Sequence, residues 1–261
     1  MPRFAANLTM MFGEWSFLDR FAAAADAGFT AVEFLFPYEH QPQEIADRLT
    51  ANGLDIALFN MPPGDWAAGE RGMAVFPQRR AEFEANLAKS MEYALATGVR
   101  RLHMMAGIAS PDSAEAGASY RDAIRFACAA AGAHGIDIVL EPLNGRDMPG
   151  YFLNDFNSAA ALIEELALPN LKLQFDIYHR QRMHGEVIVG LTEMMPIIGH
   201  VQVASVPLRN EPGTGELDDF AIFAALDRLG YSGFVGCEYR PAAETLAGLG
   251  WRERVGAGGV F

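Results

Sequence analysis

A chain of 261 residues, 51% hydrophobic and 20% charged, has the composition of a packed globular protein, and disorder is excluded for its bulk. Its 33 acidic residues against 20 basic ones give a formal net charge of −13, so most of the surface repels a phosphate backbone and nucleic acid is not an expected partner. No stretch of about 18 apolar residues runs without a charge, which predicts no membrane span.

In chain order, a first strand is predicted at RFAANLT from about residue 3, then a helix in SFLDRFAAAADA ending at Gly28. A strand near 31 (TAVEFLF) follows, then the helix PQEIADRLTAN ending at Gly53, a strand near 55 (LDIALFN), the helix RAEFEANLAKSMEYALA ending at Gly98 and a strand near 100 (VRRLHMM). The helix YRDAIRFACAAAGAH ends at Gly135 before a strand near 137 (IDIVLEP), and SAAALIEELA leads to Asn170 and a strand near 171 (LKLQFDI). Gly199 introduces HVQVASV and Gly233 introduces FVGCEYR, the last two strands. Each Gly or Asn is read as the left-handed residue that caps the preceding helix. The helices carry apolar residues at helical spacing and the strands are short β-branched or aromatic runs.

Successive strand starts lie 24 to 45 residues apart, which suits βαβ crossovers and leaves no linker. Eight alternations predict an α/β fold, a single (β/α)8 TIM barrel over residues 1–261. A doubly wound open sheet is the runner-up, but no Gly-rich phosphate loop follows the first strand. Two connections exceed what a barrel needs: residues 60–76, NMPPGDWAAGERGMAVF, read as a lid on the catalytic face, and PLRNEPGTGELDD after the seventh strand. Cys128 and Cys237 sit in apolar contexts and read as buried free thiols. Glu14 and Trp15 stand where a secretion signal would need small residues, so the expected compartment is the cytoplasm. A homo-oligomer is left open.

Strands of a parallel barrel are buried on both faces, so a polar side chain within one must be compensated. Glu141 ends IVLE, Asp176 follows LQF, Gln202 interrupts HVQVA and Glu238 follows VGC. They lie 35, 26 and 36 residues apart, each close to one βα unit, which predicts comparable depth on four neighbouring strands and convergence at the C-terminal mouth. Singly, each also reads as a solvated or backbone-bonded side chain. Together, three carboxylates at close range repel one another unless a cation balances them, and three carboxylates with an amide oxygen suit a hard ion, Mg²⁺ or Mn²⁺, better than zinc.

His179, three residues past Asp176, is placed to donate to a substrate oxygen, with a structural hydrogen bond as the alternative. Arg209 in the loop after the seventh strand and Arg71 in the lid are candidates for pairing with a substrate carboxylate, the alternative being a solvated loop arginine. Glu70 and Glu216 are candidates to orient those arginines. His103, His200 and the Met104-Met105 pair read as core.

The motifs EPLN at 141–144, FDIYH at 175–179, HVQVA at 200–204, RNEPGTGE at 209–216, GCEYRP at 236–241 and GDWAAGERG at 64–72 resemble the hydroxypyruvate isomerase family of the xylose-isomerase-like TIM barrel superfamily. The resemblance runs over essentially the whole chain. It implies a metal held by Glu141, Asp176, Gln202 and Glu238, with Glu141 and Glu238 as the acid/base pair. It also implies interconversion of hydroxypyruvate and tartronate semialdehyde through an enediolate, the anion stabilised by the metal as Lewis acid. A four-carbon acid such as 2-oxotetronate is the alternative substrate. A metal-dependent endonuclease on the same barrel would need further His ligands and a basic groove. A barrel that binds a metabolite without chemistry would have no use for both glutamates.

Overall fold

The computed structural model describes residues 1–256; the last five residues of the tail VGAGGVF lie outside them. Eight strands run β1 (Arg3–Asn7), β2 (Ala31–Phe34), β3 (Asp55–Asn60), β4 (Arg101–His103), β5 (Asp137–Leu140), β6 (Leu171–Asp176), β7 (Ile198–Gln202) and β8 (Phe234–Cys237). They close in sequence order into a parallel barrel, β8 pairing with β1. Every strand starts within one residue of its predicted position. Around the barrel lie α1 (Arg20–Asp26), α2 (Pro42–Asn52), α3 (Arg80–Thr97), α4 (Ala114–Gly132), α5 (Phe156–Leu166), α6 (Ile177–Met183), α7 (Val187–Met194), α8 (Asp219–Arg228) and α9 (Trp251–Gly256). Among the described residues no helix is long and apolar enough to cross a membrane.

Gly28, Gly53, Gly98 and Gly135 take the left-handed backbone predicted for them. The other three caps are corrected. Ahead of β6 the left-handed residue is Ala167, the C-cap of α5, and Asn170 instead donates its side-chain amide to the carbonyls of Cys128 and Ile136. Ahead of β8 it is Gly230. Gly199 lies inside β7, where a Cβ would meet that of Lys172 at 2.6 Å, and a Cβ on Gly233 would meet the Tyr231 ring. In both cases glycine answers a packing demand.

The barrel interior is layered. Ala5, Ala31, Ala57 and Phe234 form a small apolar cluster of their own. Two residues further along β1 and β2, on the same face, stand Asn7 and Glu33, which are partners in register. Glu33 is fully buried and accepts from Asn7 Nδ2 at 3.0 Å, Gln202 Nε2 at 2.8 Å and His200 Nε2 at 2.7 Å. Since β2 and β7 are not neighbours, these last two bonds cross the barrel lumen. Gly236 on β8 makes the room, because a Cβ there would overlap the Glu33 carboxylate. With three donors holding it, that carboxylate has nowhere to go. Gly236→Ala should cost about 3 kcal/mol, read as a fall of roughly 6–12 °C in melting temperature. A melting temperature within a degree of wild type would show that Glu33 is not locked.

Candidate active site

Four consecutive strands deliver the polar residues to one end of the barrel. Asp176 and Gln202 are the last residues of β6 and β7 and are paired in register, and Gln202 is in turn level with Gly236 of β8. Glu141 follows β5 directly and Glu238 follows β8 two residues past Gly236. All four are buried. Ligand atoms of Glu141, Asp176 and His179 lie within 4.8 Å of one another. Arg209 joins the remaining carboxylate to this group, its Nη2 lying 3.3 Å from Asp176 Oδ2 and pairing closely with Glu238.

Burial dominates the electrostatics. It raises the Glu141 carboxyl well above the ordinary range, with repulsion from Glu238 and Asp176 adding to the effect. Glu238 is pushed up to about 8 by burial against the opposing pull of Arg209, and Asp176 is raised for the same first reason. Burial thus disfavours the charged form of both glutamates, the setting in which a carboxyl can take up and give back a proton.

Arg209 is positioned at a cost. Its backbone is left-handed, φ 59°, in a residue with a Cβ, a conformation that persists where the surroundings over-determine it. They do so here: its N–H donates to Ser205 O, its carbonyl accepts from Arg240 N–H, and its guanidinium lies 4.9 Å over the Tyr178 ring.

His179 is buried in the first turns of α6, where Asp176 caps the helix by accepting from Tyr178 N–H at 2.7 Å. Burial holds its ring well below the usual histidine range, so it is neutral. Nε2 is 3.7 Å from Asp176 Oδ2, and Nδ1 meets Asn144. His103, buried on β4, stands 3.5 Å from Glu141 Oε2; burial takes its pKa down to about 3, so it faces the carboxyl uncharged.

Neither Glu70 nor Glu216 turns its carboxylate to the arginine it was expected to orient. The Arg71 guanidinium stays in the lid, stacked 3.6 Å from the Trp66 ring and donating to the carbonyls of Trp66 and Glu70. Glu70 turns its carboxylate to Arg79 instead, and Glu216 accepts from Gln181 at 3.4 Å. Arginine reach and loop closure decide these pairings, and neither is encoded in spacing. Sequence reasoning missed Glu33, Gln174 and Asn144. The first two carried a usable signal, since each is a polar residue inside an apolar strand (TAVEFLF, LKLQFD).

The donor set fits a divalent cation. Among the described residues, Glu141 Oε1 is buried without a hydrogen-bond partner, close to Asp176 and Glu238, both of which pair with Arg209. The Gln202 amide gives its nitrogen to Glu33, and its oxygen accepts from Gln174 Nε2 at 2.6 Å with a second lone pair left over.

The sequence matches the family described as Xylose isomerase-like TIM barrel over residues 21–255. It is 54% identical to a 2-oxo-tetronate isomerase of Cupriavidus necator, over 96% of this chain and 97% of that one. It is 42% identical to the hydroxypyruvate isomerase of Escherichia coli K12, over 97% and 99% of the two chains. A solved structure from Brucella melitensis described as an AP endonuclease, family 2, superposes with a TM-score of 0.95 at 46% identity, covering 97% of this chain and 98% of that one.

Proposed function

Because the chain belongs to the xylose isomerase-like TIM barrel family, we propose that it is an aldose-ketose isomerase of small sugar acids, with Glu141 and Glu238 as its proton-transferring pair. The observation that carries this is the pair itself: two buried carboxyls, both raised by burial, flanking Asp176 and Arg209. One glutamate, ionised, takes the proton from the hydroxyl-bearing carbon, leaving an enediolate; the other, protonated, gives its proton to the former carbonyl carbon while the hydroxyl proton moves to the neighbouring oxygen, so the pair ends with its single proton exchanged. Arg209 opposes the charge of the anionic substrate and its intermediate. Neutral His179 donates to a substrate oxygen, and the lid at residues 60–76 excludes water. Glu141, Asp176, Gln202 and Glu238 would hold Mg²⁺ or Mn²⁺, which when bound would supply Lewis-acid polarisation of the substrate oxygens and the positive charge that lets the accepting glutamate ionise.

Hydroxypyruvate and 2-oxotetronate present the same reacting centre, a carbonyl at C2 and a hydroxyl at C3. The 54% identity to a 2-oxo-tetronate isomerase favours the four-carbon acid. An endonuclease reading, which the name of the Brucella protein raises, runs against the net charge of −13. Buried free Cys128 and Cys237 fit a cytoplasmic enzyme.

The test is turnover of hydroxypyruvate, 2-oxotetronate and neutral ketoses with and without divalent ion. Chelation should lower sugar-acid turnover by about 10²-fold or more, with recovery on adding Mg²⁺ or Mn²⁺. Solvent deuterium should enter the receiving carbon. Preference for neutral ketoses would remove the sugar-acid assignment, and full activity after chelation would remove the metal.

A further inference from the structure

His179 belongs geometrically to a trio with Glu141 and Asp176 that looks like a metal-ligand set. Its hydrogen bonds say otherwise. Nδ1 receives the backbone N–H of Asn144 at 3.0 Å and lies 2.8 Å from Asn144 Nδ2. A backbone N–H can only donate, so Nδ1 presents its lone pair. The orientation of the Asn144 amide is decided as well: Oδ1 accepts the N–H groups of Arg146 and Asp147, both at 3.1 Å, and Nδ2 donates to Asp147 Oδ2 at 3.0 Å. The nitrogen of that amide must therefore be the atom that faces the ring. A buried neutral imidazole carries one proton, and with two donors aimed at Nδ1 that proton sits on Nε2, on the side of Asp176 and the site.

We propose that Asn144 is a positioning residue that holds His179 as its Nε2–H tautomer, making the ring a permanent hydrogen-bond donor to the substrate oxygen and neither a metal ligand nor a base. The use made of that donor rests on the isomerase reading; the tautomer does not. An Nε2 that carries hydrogen has no lone pair for a cation, so metal binding falls to oxygen donors alone, which favours hard ions.

The experiment is ¹⁵N-histidine NMR of the full-length protein, whose six histidines are few enough to resolve, with His179 identified by the signal lost in His179→Gln. Wild type should show a pyridine-like Nδ1 and a protonated Nε2. Asn144→Asp keeps the oxygen that accepts from Arg146 and Asp147 but sets a carboxylate oxygen against Nδ1. The carboxylate then competes with the retained backbone N–H at Nδ1, so the Nε2–H form should no longer be the sole tautomer and kcat should fall by about 10-fold or more. Asn144→Ala keeps the backbone donor, so the tautomer should survive and kcat should fall by less than about 10-fold. A wild-type ring protonated at Nδ1 overturns the proposal, and that spectrum decides even if Asn144→Asp does not fold. So does an Asn144→Asp protein that keeps the pyridine-like Nδ1 and wild-type kcat. Wild-type protein with the expected tautomer but no sugar-acid turnover supports the assignment and sinks the isomerase reading.

Discussion

Glu141→Gln and Glu238→Gln should each lower sugar-acid turnover by about 10²-fold or more without unfolding the barrel. The amide preserves volume and one oxygen donor but cannot carry a proton. Wild-type-like turnover in either variant would reject the paired-carboxylate mechanism. Stability offers a second readout. The Glu238 carboxyl lies at about 8 in the folded protein against an ordinary value of 4.5, because burial disfavours its charge. A raised carboxyl pKa means the folded state binds a proton that the unfolded state has released, so its contribution to stability is full below about pH 4.5 and is lost as pH rises through 8. Metal-free wild type should accordingly lose stability across that window, and Glu238→Gln should flatten the loss. Identical melting profiles from pH 5 to 8.5 would show that Glu238 is ionised throughout.

Arg209→Ala should be the most damaging single change. It leaves Asp176 buried with no counter-charge and removes the cation that favours ionisation of Glu238, and breaking a buried pair in this way costs about 3–5 kcal/mol of stability. The loss should be largest without divalent ion, and saturating Mg²⁺ should restore much of the melting temperature by supplying the missing charge. Failure of any divalent ion to do so would argue against a cation site among these carboxylates. KM for acidic substrates should rise by roughly 10²-fold, in keeping with about 2–5 kcal/mol for a desolvated charge pair, while neutral sugars are nearly unaffected. Equal effects on acidic and neutral substrates would remove Arg209 from carboxylate recognition.

The sequence by itself determined where the strands begin, because strand and helix periods and four left-handed glycines are local properties of the chain. It also picked out Glu141, Asp176, Gln202 and Glu238, since a polar residue at the end of an otherwise apolar strand is visible without knowing its partners. The caps at Ala167 and Gly230 escaped because a left-handed alanine, and a glycine followed by three more residues before the strand, depend on how each turn packs. Glu33 shows the larger reason. Alternation tells which residues share a face of β2, but its partner His200 is 167 residues away across the lumen, and only closure of the barrel brings the two together. Long side chains behave the same way: Arg79 rather than Arg71 takes Glu70, Arg209 spans two carboxylates from different strands, and Asn144, in the connection after β5, meets His179 of α6 from 35 residues away. Periodicity and turn chemistry are written within a few residues. The pairing of charges is settled by distances that exist only in the folded chain.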